Sequence, residues 1–303
     1  MAISTAQVTI NGVTTNLTLN SETGLYEANL TAPSETSYKN NAGHYFPITI
    51  KAVDSAGNQT VVNDTDLKLG NKLKLRVLET TLPVIIITSP TEDEITGNAT
   101  PVINFTVTDS GSGVNPDTIG ITIDSGNKIT SGITKGNITN GYMCSYAISE
   151  NLSDGVHTIK VDATDFDGNN AVQRSVNFTV DITPPELSVI SPINNYTTNN
   201  LKITISGTAN DITSGLSSVT VKINGNAPVA VEVNADGLFA YNTSLTEGAN
   251  TIVVTATDMG GISSSITRIA VLDLDAPIIS DVEIIPNPVS TGEIFNIKVT
   301  ATD

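Results

Sequence analysis

The sequence has no tryptophan, a single cysteine and few basic residues, and each shortage excludes a class of protein. One cysteine, Cys144, allows neither a disulfide framework nor a four-cysteine zinc site. With 14 Lys and Arg against 31 Asp and Glu, the formal net charge is −17, which opposes binding to a phosphate backbone. No apolar run reaches the roughly 20 residues of a transmembrane helix. We therefore predict neither a nucleic-acid partner nor membrane insertion.

The N-terminus also lacks a targeting signal. Residues 1–5 carry neither the basic region nor the apolar run of a secretory signal peptide. This predicts a protein made in a cytoplasm without secretion, although its composition, acidic and rich in Thr, Asn and Ser, suits an extracellular surface.

One short pattern recurs three times, at residues 48–58, 159–169 and 252–261. Apolar residues alternate with polar ones over six positions, which is typical of a strand with one buried face. An Asp and a Gly then end the strand in a turn. The aspartates, Asp54, Asp165 and Asp258, are 111 and 93 residues apart (165 − 54 and 258 − 165).

A second landmark is an apolar run that ends in proline, at residues 84–90, 187–192 and 278–288. Proline at such a place indicates an edge strand, because it cannot donate to a central ladder. Short β-branched strands fill the intervals at 8–12-residue spacing, joined by hairpin turns such as Asn224-Gly225. The sequence predicts an all-β chain of tandem two-sheet sandwich modules in an elongated array. The predicted divisions are a variant module at 1–82, full modules at 83–183 and 184–275, and a two-strand tail at 276–303.

These landmarks resemble bacterial immunoglobulin-like repeats over nearly the whole chain. The N-terminal segment, with Gly24-Leu25-Tyr26 and His44-Tyr45-Phe46-Pro47, is similar to the opening module of immunoglobulin-repeat proteins in the tails or baseplates of phages of Gram-positive bacteria. The resemblance implies a non-enzymatic structural or adhesion component of a phage or phage-tail-like particle, located in the virion. It implies other virion or tail proteins as partners, a multi-copy or homo-oligomeric state, and weak multivalent binding to host-surface carbohydrate. Two alternatives remain open: a fragment of a secreted bacterial adhesin, and accessory spacer modules of a polysaccharide-active enzyme.

The sequence pattern predicts an incomplete module at each end of the chain. Residues 8–12 match residues 221–225, and residues 24–26 match 237–239 at the same interval of 12 (24 − 12 and 237 − 225). The first module therefore begins at the third strand of the sandwich, and the tail resembles the first two strands.

Three explanations of these ends remain open. Residues 33–43 or 63–70 cover the gap in the first module while the tail docks on the third module or on a neighbouring subunit. Alternatively, the tail of one copy completes the first module of another by strand addition, or the chain continues beyond Asp303. We expect the tail strand, with Ile297 and Val299, to contact a partner.

The sequence has no recognisable catalytic constellation, and we predict that the protein is not an enzyme. Its two histidines, His44 and His157, are interpreted as surface residues, because neither accompanies a nucleophile elbow. Cys144 alternates with tyrosines along a strand, which favours a small buried apolar residue. An aromatic patch in the first module is the predicted docking site for a virion partner, formed by Tyr38, His44, Tyr45 and Phe46.

Carboxylates at the turns form the candidate small-ligand sites. Asp165, Asp167 and Asn169 share one turn, and Asp54 and Asp258 occupy the equivalent turns. Oxygen ligands of this kind suit Ca²⁺, and Ca²⁺ is the one cofactor considered. The alternative is that each Asp caps its own turn with no metal bound. The same interpretation extends to three aspartates near matching turns or linkers, Asp109, Asp181 and Asp211.

Overall fold

The structure, a computed structural model, describes residues 2–40 and 42–303, and nearly every regular element in it is a β-strand. The chain divides into two compact units, Met1–Glu94 with Asn98–Val180, and Ile95–Gly97 with Asp181–Asp303. Among the described residues, no helix has the length and apolar character needed to cross a membrane. The predicted all-β class is confirmed. The predicted domain boundaries stay a prediction, and the modules below are defined by their strands.

Module one contains a single sheet. Its elements are β1 (Ile3–Ile10), β2 (Val13–Leu19), β3 (Tyr26–Glu27), α1 (Ser37–Asn40), β4 (Phe46–Asp54), β5 (Gln59–Val62), a 3₁₀ turn (Gly70–Lys72) and β6 (Lys74–Leu75). The strands lie in the order β3-β2-β1-β4-β5, and β6 pairs with β4. The buried side chains include Ala6, Val8, Phe46 and Leu73.

Module two is a two-sheet sandwich. Its strands are β7 (Val84–Ser89), β8 (Glu94–Thr96), β9 (Val102–Thr108), β10 (Val114–Ile123), β11 (Thr134–Ile138), β12 (Gly141–Ala147), β13 (Gly155–Asp165) and β14 (Arg174–Val180). The sheet orders are β10-β13-β14-β8 and β11-β12-β9-β7. Phe105 and Phe178 lie in the core between them. Cys144 is also buried there, as predicted, and burial raises the pKa of its thiol to about 11.

Module three repeats the sandwich. Its strands are β15 (Glu186–Ser191), β16 (Tyr196–Thr198), β17 (Lys202–Asn210), β18 (Leu216–Ile223), β19 (Val229–Val231), β20 (Leu238–Ser244), β21 (Gly248–Asp258) and β22 (Ser263–Leu272). The sheet orders are β15-β17-β20 and β16-β22-β21-β18-β19. The core is aliphatic except for Phe239 and the partly buried Tyr241.

The sheet of module one corresponds to one sheet of module three. The order β2-β1-β4-β5 in module one reproduces β19-β18-β21-β22 in module three. In the described part of module one, no strand stands where β15 and β17 stand in module three. The expectation of a two-sheet sandwich is thus met by modules two and three, and module one consists of one sheet.

The last two strands form a separate hairpin. β23 (Ile278–Ile285) pairs with β24 (Asn296–Thr302) and, within residues 2–40 and 42–303, with no other strand. The register shifts between Ile279 and Asp281, and the β15–β17 pair of module three has a comparable shift between Val189 and Ser191. The hairpin thus has the pairing of β7 with β9 and of β15 with β17, the first two strands of one sheet in each full module.

Candidate functional site

Each full module ends a long central strand with a buried aspartate that caps the following turn. β13 ends at Asp165 and β21 ends at Asp258, and both residues are 1% exposed. The N–H of each aspartate donates to the carbonyl of the residue four positions on, Asn169 or Ile262, at 3.1 and 3.0 Å. The N–H of that same residue donates to the aspartate Oδ1 at 2.7 and 2.8 Å. Both aspartates therefore cap their own turns.

A second carboxylate lies in the loop that follows β9 in module two and β17 in module three. In module two, the N–H of Gly113 donates to Asp109 Oδ2 at 2.6 Å, and the N–H of Phe166 donates to the Gly113 carbonyl at 3.0 Å. The equivalent loop of module three has the N–H of Gly215 donating to Asp211 Oδ1 at 3.0 Å. These bonds hold the loop beside the capped turn at one end of each sandwich.

A third carboxylate comes from the segment before the first strand of each module. Glu79 precedes Asp109 by 30 residues (109 − 79), and Asp181 precedes Asp211 by the same interval (211 − 181). Two sets of three carboxylates result, in each of which one oxygen per residue lies within 4.8 Å of the others: Glu79, Asp109 and Asp165 in the first unit, and Asp181, Asp211 and Asp258 in the second. We call these sets the first and second carboxylate clusters.

Both clusters contain buried carboxylate oxygens that accept no hydrogen bond. These are Oδ1 of Asp109 in the first cluster, and Oδ2 of Asp181 and of Asp258 in the second. The three residues are 4%, 0% and 1% exposed. Burial raises the pKa of Asp109, the N–H of Gly113 opposes this effect, and the negative charges of Glu79 and Asp165 add to it. Such oxygens are costly to bury without a partner.

The other predicted calcium ligands lie outside these clusters. Asp54 ends β4 and caps its turn, because its Oδ1 accepts the N–H groups of Ala56 and Asn58, both at 2.9 Å. Hydrogen bonds from the side chain and backbone of Asn58 lower the pKa of Asp54. Asp167 Oδ2 accepts the hydroxyl of Thr36 in module one at 2.6 Å. Metal binding by these residues stays a prediction.

The Asn169 side chain joins the capped turn to the segment before module two. Its amide nitrogen donates to Asp165 Oδ2 at 2.7 Å and to the Glu79 carbonyl at 3.2 Å. Glu79 was not among the predicted ligands. The signal that identifies it is its 30-residue distance from Asp109, which equals the distance between Asp181 and Asp211.

The predicted aromatic patch of module one divides into an intramolecular stack and two residues packed within the module. The Tyr38 ring stacks on His44 at 3.7 Å and on Phe166 of module two at 4.3 Å between centroids. Phe46 is 3% exposed, and the Tyr45 hydroxyl donates to Asp64 at 2.9 Å, which raises the pKa of Tyr45. The stack fixes module one against module two; docking of a partner on these residues stays a prediction.

The predicted contact residues of the tail lie on the exposed hairpin. Ile297 and Val299 are 55% and 53% exposed and pair across the hairpin with Ile284 and Val282. A partner for this surface stays a prediction.

His157 is buried rather than on the surface, so the sequence-based interpretation of this residue is wrong. It is 7% exposed, with Nδ1 2.9 Å from Asp124 Oδ2 and Nε2 2.8 Å from the Ser153 carbonyl. Burial lowers its pKa, but the hydrogen bonds to the Ser153 carbonyl and to Asp124, with the charge of Asp124, raise it overall. A protonated ring donates to both neighbours, which is the reason for the net rise.

We expect His157 to make the stability of the first unit depend on pH. Because its pKa is raised in the folded state, its contribution is complete below the unfolded value of about 6.5 and is lost as the pH rises through the folded value. Asp124→Asn removes the charge that favours the protonated ring. Between about pH 6 and 8, the melting temperature of the wild type should therefore fall more than that of the variant. Equal slopes for the two proteins would contradict the assignment.

Two sequence families match the two sandwiches. Residues 88–182 match the family described as bacterial Ig-like domain. Residues 185–274 match the family described as glucodextranase, domain B. The chain contains tandem immunoglobulin-like β-sandwich modules, and neither family match covers half of it. No curated protein is similar in sequence to it.

Solved structures of tandem β-sandwich modules resemble this chain at low identity. Fibronectin(III)-like modules of Clostridium thermocellum CbhA are 18% identical over 63% of this chain and 94% of theirs, with a TM-score of 0.39. A tetra-tandem repeat from the extending region of a large adhesion protein is 21% identical over 98% of this chain and 79% of its own, with a TM-score of 0.34. Sidekick-1 immunoglobulin domains 1–5 are 11% identical over 98% of this chain and 60% of theirs, with a TM-score of 0.38.

Proposed function

We propose that this immunoglobulin-like repeat protein is a non-enzymatic structural and adhesion component of a phage or phage-tail-like particle. One observation carries the proposal: the two full modules share the capped turn, three carboxylates at equivalent positions, and the pairing of every strand except β11 and β19, which belong to different sheets of the sandwich. An enzyme has an active site that differs from the rest of its scaffold, whereas in a spacer every module has the same structural role.

The composition supports a surface role in a crowded assembly. A net charge of −17 keeps neighbouring copies soluble and disfavours adventitious binding to nucleic acid. Many copies displayed on one particle increase the apparent affinity for a repeating host-surface polymer, because each further contact is intramolecular. We propose virion or tail proteins and host-surface carbohydrate as the partners.

Accessory modules of a polysaccharide-active enzyme are the second candidate. The match of residues 185–274 to glucodextranase domain B favours this function. A secreted bacterial adhesin is the remaining alternative. The three differ in where the protein is found: on free particles, together with a glycan-cleaving enzyme, or on the bacterial surface.

Location is the direct test. Antibodies raised against the chain should label particles purified from a lysate of the producing cells, and they should not label the surface of intact cells. Labelling of intact cells, or co-purification of the chain with glycan-hydrolysing activity, would overturn the particle assignment.

Binding is tested with purified host cell-wall polysaccharide and with dextran. We expect weak retention of the free protein and retention about 10²–10⁴-fold stronger when the protein is displayed densely on beads. Beads that carry an unrelated protein of similar negative charge are the control. No release of reducing sugar is expected from either polymer, and sustained release would contradict the non-enzymatic role.

A further inference from the structure

We propose that each carboxylate cluster binds one Ca²⁺ ion, so that the chain has two homologous cation sites. The proposal starts from the geometry. Three carboxylates from three separate segments approach within 4.8 Å, and this arrangement occurs in both units at equivalent positions. It does not depend on whether the protein belongs to a particle, a cell surface or an enzyme.

The second cluster shows why a cation is required. Asp181 and Asp258 are 0% and 1% exposed, and Oδ2 of each is buried without a hydrogen-bond partner. The other oxygens are held as acceptors: Asp211 Oδ1 receives three backbone N–H groups, and Asp258 Oδ1 receives one. The fold therefore holds three carboxylates together and leaves two of their buried oxygens without a hydrogen-bond partner.

No basic side chain neutralises either cluster. Among the described residues, the ion pairs are His157 with Asp124 and Lys298 with Glu283, and neither pair includes a cluster residue. Buried carboxylates without a compensating cation are strongly destabilising, because their desolvation is not repaid. A bound divalent cation removes both the repulsion within the cluster and the unpaired oxygens.

The donor set selects Ca²⁺. Each cluster offers carboxylate oxygens and neither sulfur nor imidazole nitrogen, which disfavours Zn²⁺ and other softer metals. One oxygen of each carboxylate lies within 4.8 Å of the others, and Ca²⁺ completes a shell of six to eight oxygen ligands, water included, in irregular geometry. Mg²⁺ demands a near-octahedral shell and retains water, so we expect it to bind more weakly.

A glycine allows the third carboxylate to approach in each unit. A Cβ on Gly260 would lie 2.8 Å from the Asp181 carbonyl oxygen and 3.3 Å from Asp258 Oδ1. A Cβ on Gly111 would collide with the Glu79 carboxylate. The segment before each module therefore reaches its cluster because these neighbouring positions have no side chain.

Calorimetric titration of the chelator-treated full chain with CaCl₂ tests the proposal. We expect two sites per wild-type chain, one site in Asp165→Asn, one in Asp258→Asn and none in the double variant. Asn retains the Oδ1 acceptor that caps each turn; Asp165→Asn loses the bond that Asp165 Oδ2 accepts from the Asn169 amide, and Asp54→Asn loses the equivalent bond from Asn58. Asp54→Asn is the matched control, because Asp54 caps an equivalent turn outside the clusters and should leave both sites intact.

Thermal melting supplies a second test, because the effect of Asp258→Asn on the melting temperature should reverse when Ca²⁺ is added. Saturating Ca²⁺ should raise the melting temperature of the wild type by roughly 5–10 °C over NaCl of equal ionic strength. Without Ca²⁺, Asp258→Asn should melt at or above the wild-type temperature, because one of the three closely spaced carboxylates is gone. With Ca²⁺, it should melt below the wild type. No calorimetric binding, a stoichiometry that the cluster variants leave at two, or equal shifts with NaCl and CaCl₂ would overturn the proposal.

Discussion

Replacing Phe105 by alanine should lower the free energy of unfolding of module two by about 3–5 kcal/mol. Phe105 is 0% exposed at the centre of β9, where it lies opposite Ile87 of β7 and Cys144 of β12. It shares the core with Phe178 of the facing sheet. Alanine leaves a ring-sized cavity at a site where strands on both sides limit collapse, so the transfer loss and the cavity cost both apply.

Met143 on the neighbouring strand is the matched control for this substitution. It pairs with Thr106 and is 59% exposed, so Met143→Ala should change the free energy of unfolding by less than about 0.5 kcal/mol. Differential scanning calorimetry of the full chain measures both variants, because the protein has no tryptophan to report unfolding by fluorescence. A loss below about 1 kcal/mol for Phe105→Ala would show that module two does not depend on this core.

The strands were predictable because their signal is local. In β13 and β21 every second residue is buried, which follows from alternation in a strand with one face on a core. The Asn224-Gly225 turn was predictable for a similar reason. Both residues have positive φ, 49° and 78°, which Asn and Gly adopt most readily.

The burial of His157 was not predictable, because it depends on residues far along the chain. The ring is satisfied by Asp124, 33 positions earlier, and by the Ser153 carbonyl. A lone histidine at the edge of a strand carries no sequence signal for such partners. The contact between Tyr38 and Phe166 was missed for the same reason, because two modules supply its two sides.

The carboxylate clusters were predictable from the sequence only in part. The turn aspartates were predicted from their strand-ending pattern, but Glu79 stands in a segment without regular structure. Its role is recognised only when the sequences of the modules are aligned on their prolines and the 30-residue interval to the cluster aspartate, Asp109 or Asp211, is compared. The same interval separates Asp273 from Asp303 (303 − 273), so two of the three carboxylate positions recur, one before and one after the tail hairpin.

Replacing Asn250 by alanine should lower the free energy of unfolding of module three by about 2–4 kcal/mol. Asn250 is 0% exposed and makes five hydrogen bonds. Its Oδ1 accepts the N–H of Thr246 at 2.9 Å and the side-chain amide of Asn224 at 2.8 Å, and its Nδ2 donates to the carbonyls of Thr246 and Gly248. Alanine removes all five part-buried bonds at once, and the backbone groups that they satisfy lose their partners next to a buried position.

Asn234 separates the effect of burial from the effect of the hydrogen bonds themselves. Its Oδ1 also accepts two backbone N–H groups, from Asp236 at 3.0 Å and Leu238 at 2.8 Å, but the residue is exposed. Water replaces the lost acceptor there, so Asn234→Ala should cost less than about 1 kcal/mol. Chemical denaturation of both variants at one pH gives the comparison. Equal losses would mean that the bonds of Asn250 stabilise the module no more than those of an exposed turn, and that its burial is incidental.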